Sequence, residues 1–273
     1  MKQEIDNRQG QLLKDKVALI YGATGAVGST VARAFAREGA QVFLSGRRLP
    51  DVRNIAKEIS SSGGIAGAAE VDALDEESVE KYVQEIFEKT GKIDISFNAI
   101  GVPQKDMQGI LLTDLQVESF TLPIMTYAKS HFITSRAAAR KMIVKRSGVI
   151  LMHTPNAAAM AFARVGGMSP AWAAMEALSR DLSAELATQG IRAICLRTTG
   201  LPETKTIEVV YGDHAKAMGI TPGEFQQLLE GLTHNKRHTT LAELANAAVF
   251  AASDLSIGMT GAIINFTGDM IVD

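Results

Sequence analysis

The chain has 273 residues, a net charge of −2 and 46% hydrophobic content, the balance of a soluble α/β globule with room for a sizeable core. That charge argues against nucleic acid as a partner; the single cysteine, Cys195, excludes an intramolecular disulfide, and no Cys/His group has metal-ligand spacing. The polar start MKQEIDNRQGQLLKDK lacks the apolar core of a secretion signal and no run of about 18 apolar residues follows, so a cytoplasmic protein with no membrane partner is expected.

Residues 1–14 read as a flexible arm. The run VALIY at 17–21 is a short buried strand, and 26–38 has helix spacing, with Val27, Val31 and Phe35 four apart and Gly39 ending it. QVFLS at 41–45 is a second strand, 51–62 an amphipathic helix stopped by Gly63-Gly64, 65–71 a weak strand, 76–89 a charged helix and 93–97 a fourth strand. Then come a long helix at 124–145, a strand at 149–152, and a helix at 170–188 with Trp172, Met175, Leu182 and Leu186 on one side. A strand at 191–196, a helix at 241–253 and a last strand at 262–266 complete the pattern. Seven strands alternating with helices predict α/β architecture: one doubly wound, seven-stranded parallel sheet with helices on both faces, in a single domain over 15–273. The polar segment 203–236 is too long for a plain connection and is expected to be a substrate lid.

The first strand runs straight into GATGAVGS at 22–29. Gly22, Gly25 and Gly28, with Thr24, Ala26 and Val27, lie where a strand turns sharply into a helix. Glycine permits positive φ and close backbone approach to a phosphate, and the helix offers free N–H groups to it. A turn of this kind predicts a dinucleotide. At the end of the second strand the run LSGRRLPD carries Arg47 and Arg48 where an NAD site usually has a carboxylate. Arginine suits a 2′-phosphate, so NADP(H) is favoured over NAD(H).

These motifs resemble those of the classical short-chain dehydrogenase/reductase (SDR) family, over about residues 12–270, and so a Rossmann fold. GATGAVG is similar to the family's TGxxxGxG; VDALDEESV, with Asp72 and Ala73, resembles its third-strand adenine motif. DISFNAIG resembles DxxxNNAG and retains Asn98, Ala99 and Gly101. TTGLPET resembles PGxxxT, with Gly200 and Thr204 near the nicotinamide amide. The resemblance implies an oxidoreductase that assembles as a homodimer or homotetramer through the helices at 124–145 and 170–188 and the last strand.

It also implies a catalytic tyrosine, a lysine four residues later, a serine and an asparagine. Aligned back from DLSAELATQGIR, the tyrosine position falls on Met168, the lysine on Trp172, the serine on Pro155 and the asparagine near Tyr127. The wider spacing of the enoyl reductases puts Val165 at the tyrosine and again Trp172 at the lysine. None of the four tyrosines has a lysine four residues on. Thr154 is then the expected substrate hydroxyl, with Tyr127 a second candidate. Strand alternation puts His153 on the face opposite Thr154, as a structural histidine; Tyr211 and His214 lie on the lid. Met168, Trp172, Phe162 and Leu201 are expected to line an apolar substrate pocket. The expected activity is NADP(H)-dependent conversion of a carbonyl or activated double bond on a small apolar molecule, at a non-standard site. The alternative is a dinucleotide-binding homologue without turnover, acting as a sensor or partner subunit.

Overall fold

Alternation of apolar and small residues folds the chain into strands and covering helices, described by a computed structural model over residues 11–272. In chain order they are β1 (Val17–Tyr21), α1 (Ala26–Arg37), β2 (Gln41–Gly46), α2 (Leu49–Ser61), β3 (Ile65–Glu70), α3 (Glu76–Thr90), β4 (Ile95–Asn98) and α4 (Val117–Lys145). There follow β5 (Gly148–Pro155), α5 (Met168–Leu186), β6 (Ile191–Thr198), α6 (Lys205–Met218), α7 (Pro222–Leu232), α8 (Leu241–Ala252) and β7 (Ile263–Phe266). The strands pair in parallel in the order β3-β2-β1-β4-β5-β6-β7. The order reverses between β1 and β4, which opens a crevice at the strands' C-terminal ends, where ligands of such sheets bind.

Both sheet faces are buried, so β1 is apolar at every position rather than at alternate ones. Ala18 and Ile20 point into one core with Val31, Phe35 and Leu244, from α1 and α8. Val17, Leu19 and Tyr21 point into the other with Val79, Val83, Ile133 and Met175, from α3, α4 and α5. Full burial of one such side chain is worth about 1.5–3 kcal/mol. Helix ends follow their local chemistry. Asp75 caps α3 by accepting from the Glu77 and Ser78 N–H groups, and Gly91 ends it at φ 74°. Thr221 with Glu224 and Thr240 with Glu243 form capping boxes on α7 and α8.

Four elements depart from the sequence expectation. The α4 helix begins at Val117 and carries Pro123 inside it; a proline there removes one backbone bond, but its ring is buried and packing holds the helix through it. Strands β5 and β6 run on to Pro155 and Thr198, because the parallel ladder between them continues with Thr154 beside Arg197 and Pro155 beside Thr198. The expected arm at 1–14 lies outside the described residues as far as residue 10; at its other end Leu13 is fully buried and its N–H bonds the Glu38 carbonyl at 2.9 Å.

Candidate active site

The crevice holds two adjoining cavities, and Gly25 and residues 99–102 form walls of both. The first, of about 390 Å³, lies over the glycine turn and the ends of β1, β2 and β3. Here the backbone does the shaping. Gly22 has φ 65°, and a Cβ there would lie 2.7 Å from the Ala99 carbonyl; a Cβ on Gly28 would run into the Gly22 carbonyl oxygen. The N-cap of α1, Gly25, has no side-chain cap and the first turn has no acid, in contrast to α3, α7 and α8. Its N–H groups and positive dipole end therefore remain open to an anion. These features fit a dinucleotide diphosphate. Asn98 is spent on shape: its Oδ1 accepts from Ile100 N–H at 3.0 Å and its Nδ2 donates to Thr134 at 3.2 Å.

Of the expected cofactor residues, Gly22, Thr24, Gly25, Arg47, Asp72, Ala73, Ala99 and Gly101 line this first cavity. Ala26, Val27, Asn98, Gly200 and Thr204 line the second. Two stand outside both. Gly28 is packed beneath the turn. Arg48 points to solvent, 82% exposed, and pairs with Asp51 at 2.5 Å, so only Arg47 of the two arginines reaches the cavity.

The second cavity, of about 300 Å³, is bounded by the ends of β4, β5 and β6, by α4 and α5, and by α6 and α7 across the top. Met168, Trp172, Phe162 and Leu201 line it. Segment 203–236 folds as α6 and α7, which contribute Tyr211, His214, Phe225 and Leu229. No aspartate, glutamate, lysine or arginine of the described residues lines it.

Thr154 is displaced from the role expected of it. It is fully buried away from the cavity, donating its hydroxyl to Glu176 Oε1 at 2.9 Å and lying 3.4 Å from Cys195 Sγ. Arg197 holds the same carboxylate through Nε and Nη2, both at 2.8 Å, with both partners about 5% exposed. Strand alternation does put His153 on the opposite face, but that is the face of the cavity. Thr154 takes the inner face because Glu176, distant in sequence and held by Arg197, holds its hydroxyl there.

The side chains that do meet in the cavity are uncharged at neutral pH. Burial pushes the Tyr127 hydroxyl up to about 12, partly offset by the Val102 backbone and the Trp172 indole. Burial pushes His153 down to about 4 and His131 to about 3, the latter also by the nearby His153. His214 and His238 are lowered by burial as well. Four of the five histidines thus line one cavity. A relay ties the loop after β4 to α6: Gln104 Nε2 donates to the Val102 carbonyl at 3.0 Å and Gln108 Nε2 to Gln104 Oε1 at 2.5 Å. His214 Nε2 then lies 3.2 Å from Gln108 Oε1; an amide oxygen only accepts, so that imidazole nitrogen holds the proton. The His214 ring stacks on Phe225, 5.2 Å between centroids. Tyr211 pairs with His238 at 3.2 Å, and its hydroxyl sits 2.7 Å from where a Cβ on Gly200 would be. Gln104, Gln108, His131 and His238 escaped the sequence reading; the four-residue step from Tyr127 to His131 was the one available signal for a shared face. Neutral hydroxyl and imidazole N–H donors in a largely apolar cavity can polarise a carbonyl oxygen without themselves ionising.

Residues 22–268 match the family model described as enoyl-(acyl carrier protein) reductase. The chain is 28% identical over 259 residues to the uncharacterized oxidoreductase YxbG of Bacillus subtilis, covering 95% of this chain and 92% of that one. It is 29% identical over 243 residues to short chain aldehyde dehydrogenase 1 of Euphorbia lathyris, covering 89% and 83%. Sorbitol-6-phosphate 2-dehydrogenase SrlD from Erwinia amylovora has the same fold, with a TM-score of 0.88 at 25% identity over 94% of this chain and 100% of that chain. With the parallel sheet, the switch-point crevice and the glycine turn, these likenesses establish that the chain belongs to the short-chain dehydrogenase/reductase family of oxidoreductases.

Proposed function

We propose that this chain is an NADP(H)-dependent oxidoreductase that acts on a carbonyl or activated double bond of a small apolar molecule, with an active site built on groups other than the family's tyrosine and lysine. One observation carries the reading: the anion-ready glycine turn and the apolar cavity share the walls formed by Gly25 and residues 99–102, so ligands in the two would touch. Arg47, on the wall of the first cavity, supports the 2′-phosphate form of the cofactor. When bound, the nicotinamide supplies or accepts a hydride. Tyr127, neutral and facing the cavity, would donate a hydrogen bond to the reacting oxygen. Trp172 and Met168 keep water away and present a flat apolar wall. Segment 203–236 acts as the lid, with α6 and α7 completing the enclosure.

A second reading, a dinucleotide-binding homologue without turnover, is favoured by Met168 and Trp172 at the positions of the family's acid/base pair. A positioned acid/base is worth about 10²–10⁴-fold, so its loss weighs most on ketones and least on activated alkenes, whose carbon takes a proton from solvent.

NADPH consumption over a panel of ketones, quinones and enones separates the two. Turnover of at least one class, reduced about a hundredfold in Tyr127→Phe, is expected; tight NADPH binding with no turnover anywhere selects the second reading. Arg47→Ala is expected to weaken NADPH about tenfold or more and to leave NADH unchanged; equal loss of both refutes the cofactor preference. Sedimentation of the purified chain tests the expected homodimer or homotetramer.

A further inference from the structure

We propose that His153 orients the substrate of this site by accepting a hydrogen bond from it, and so selects a neutral molecule that carries a hydroxyl on an apolar body. This rests on the reading of the second cavity as the substrate site, and it names the substrate class that the cavity takes.

The argument begins one strand away, at Thr198. Its hydroxyl donates to the Thr199 carbonyl at 2.8 Å. That carbonyl can only accept, Thr199 is buried, and leaving such a group unpaired would be costly. A hydroxyl has one proton, so towards His153 the Thr198 oxygen is an acceptor. The His153 Nε2 lies 2.9 Å from it and therefore carries the ring proton. A neutral imidazole has only one such proton, so Nδ1 is left as a bare lone pair. No protein hydrogen bond to Nδ1 exists among the described residues, and the ring lines the cavity on the same face of β5 as Pro155.

The surroundings keep the ring neutral. Half-buried, it faces no carboxylate in the cavity; the titratable group against it from α4 is His131, itself neutral. What the cavity asks of a ligand follows from donor and acceptor rules. A hydroxyl donates to Nδ1 and keeps its lone pairs for another donor, such as Tyr127. A ketone sets one lone pair against another. A carboxylate does the same and also brings a charge into a cavity with no lysine or arginine among its described walls, where an unpaired ion is strongly disfavoured. In an alcohol–carbonyl pair, the alcohol is therefore the form held more tightly.

The test uses the full chain without added dinucleotide, so that no turnover intervenes, and three probes of one shape: cyclohexanol, cyclohexanone and cyclohexanecarboxylate. Titrations followed by ligand-observed NMR are expected to show the alcohol binding about five- to tenfold more tightly than the ketone, and the acid most weakly. In long-range proton–nitrogen spectra of the histidine rings, His153 is expected to show its proton on Nε2, with the Nδ1 resonance moving on addition of the alcohol alone. His153→Leu, which keeps the bulk, is expected to bring alcohol and ketone within twofold of each other, weakening the alcohol and not the ketone. Thr198→Val, which frees the ring to exchange tautomers, is expected to narrow the preference partway. Equal affinity of the native chain for alcohol and ketone, a preference that survives His153→Leu, a proton found on Nδ1, or no binding of any probe would overturn the proposal. NADPH fluorescence on the same samples keeps the two readings apart: an alcohol preference without dinucleotide binding counts against the oxidoreductase reading alone, and normal dinucleotide binding without the preference counts against this one alone.

Discussion

At the dinucleotide end of the crevice the backbone does most of the shaping: the turn of Gly22 and Gly25, an uncapped helix start and the Ala99 carbonyl define the space, and the charged side chains on its walls are Arg47 and Asp72. A few ångströms away, past the shared wall, the space is made by side chains from seven elements: four histidines, two tyrosines, two glutamines and an apolar lining. Behind that lining, Thr154, Glu176 and Arg197 tie β5, α5 and β6 together in a dry, charged contact. A backbone-built site tolerates almost no change at a few positions. A side-chain-built site can exchange its chemistry residue by residue while the scaffold stays intact.

The sharpest way to break this contrast is at its rigid rear. Arg197→Leu leaves the Glu176 carboxylate buried without its main partner and is expected to cost about 3–5 kcal/mol, measured by urea unfolding. Replacing Glu176 by leucine as well should restore much of the loss; if it does not, the pair does more than neutralise itself. The next effect needs no substitution. His131 and His153 have folded-state values of about 3 and 4 against 6.5 unfolded. Between these limits the unfolded chain binds more protons than the folded one, so stability rises with pH. The contribution is complete above pH 6.5 and is lost as pH falls towards 4. At pH 5.5 the chain is expected to be about 2–3 kcal/mol less stable than at pH 7.5, and His131→Phe should remove about half of that slope in pH-dependent unfolding. Gly28→Ala tests the backbone-built end: its methyl meets the Gly22 carbonyl, and a loss of about 1–3 kcal/mol together with most NADPH binding is expected. The smallest effect is Thr154→Val, about 1.5 kcal/mol from one hydrogen bond to a carboxylate, with turnover unchanged. A large fall in turnover there would return Thr154 to the chemistry.

Much of the fold is legible in the residues because it rests on local rules. β1 announces itself by five apolar residues, and α3 by a capping aspartate and a closing glycine. Where local rules mislead, packing is the cause. Pro123 reads as a helix boundary yet lies inside α4, and Leu13 reads as part of a loose arm yet is fully buried. The crevice residues divide in the same way. Gly22 and Gly25 are recognisable because a tight turn demands a residue type. His153 and Thr154 are adjacent in a strand, and alternation separates their faces without saying which face is the cavity.

By sequence alone, then, the chain determined its alternation of strands and helices and its glycine turn. Period, turn chemistry and residue identity are local properties and need no partner. Only the tertiary structure decided that Glu176, held by Arg197, claims the Thr154 hydroxyl, that His153 faces the cavity 2.9 Å from the Thr198 hydroxyl, and that α6 brings Tyr211 and His214 across the top. Each of these depends on contacts between residues more than 20 positions apart, where the free energy of a buried polar group is set by which partner the fold delivers.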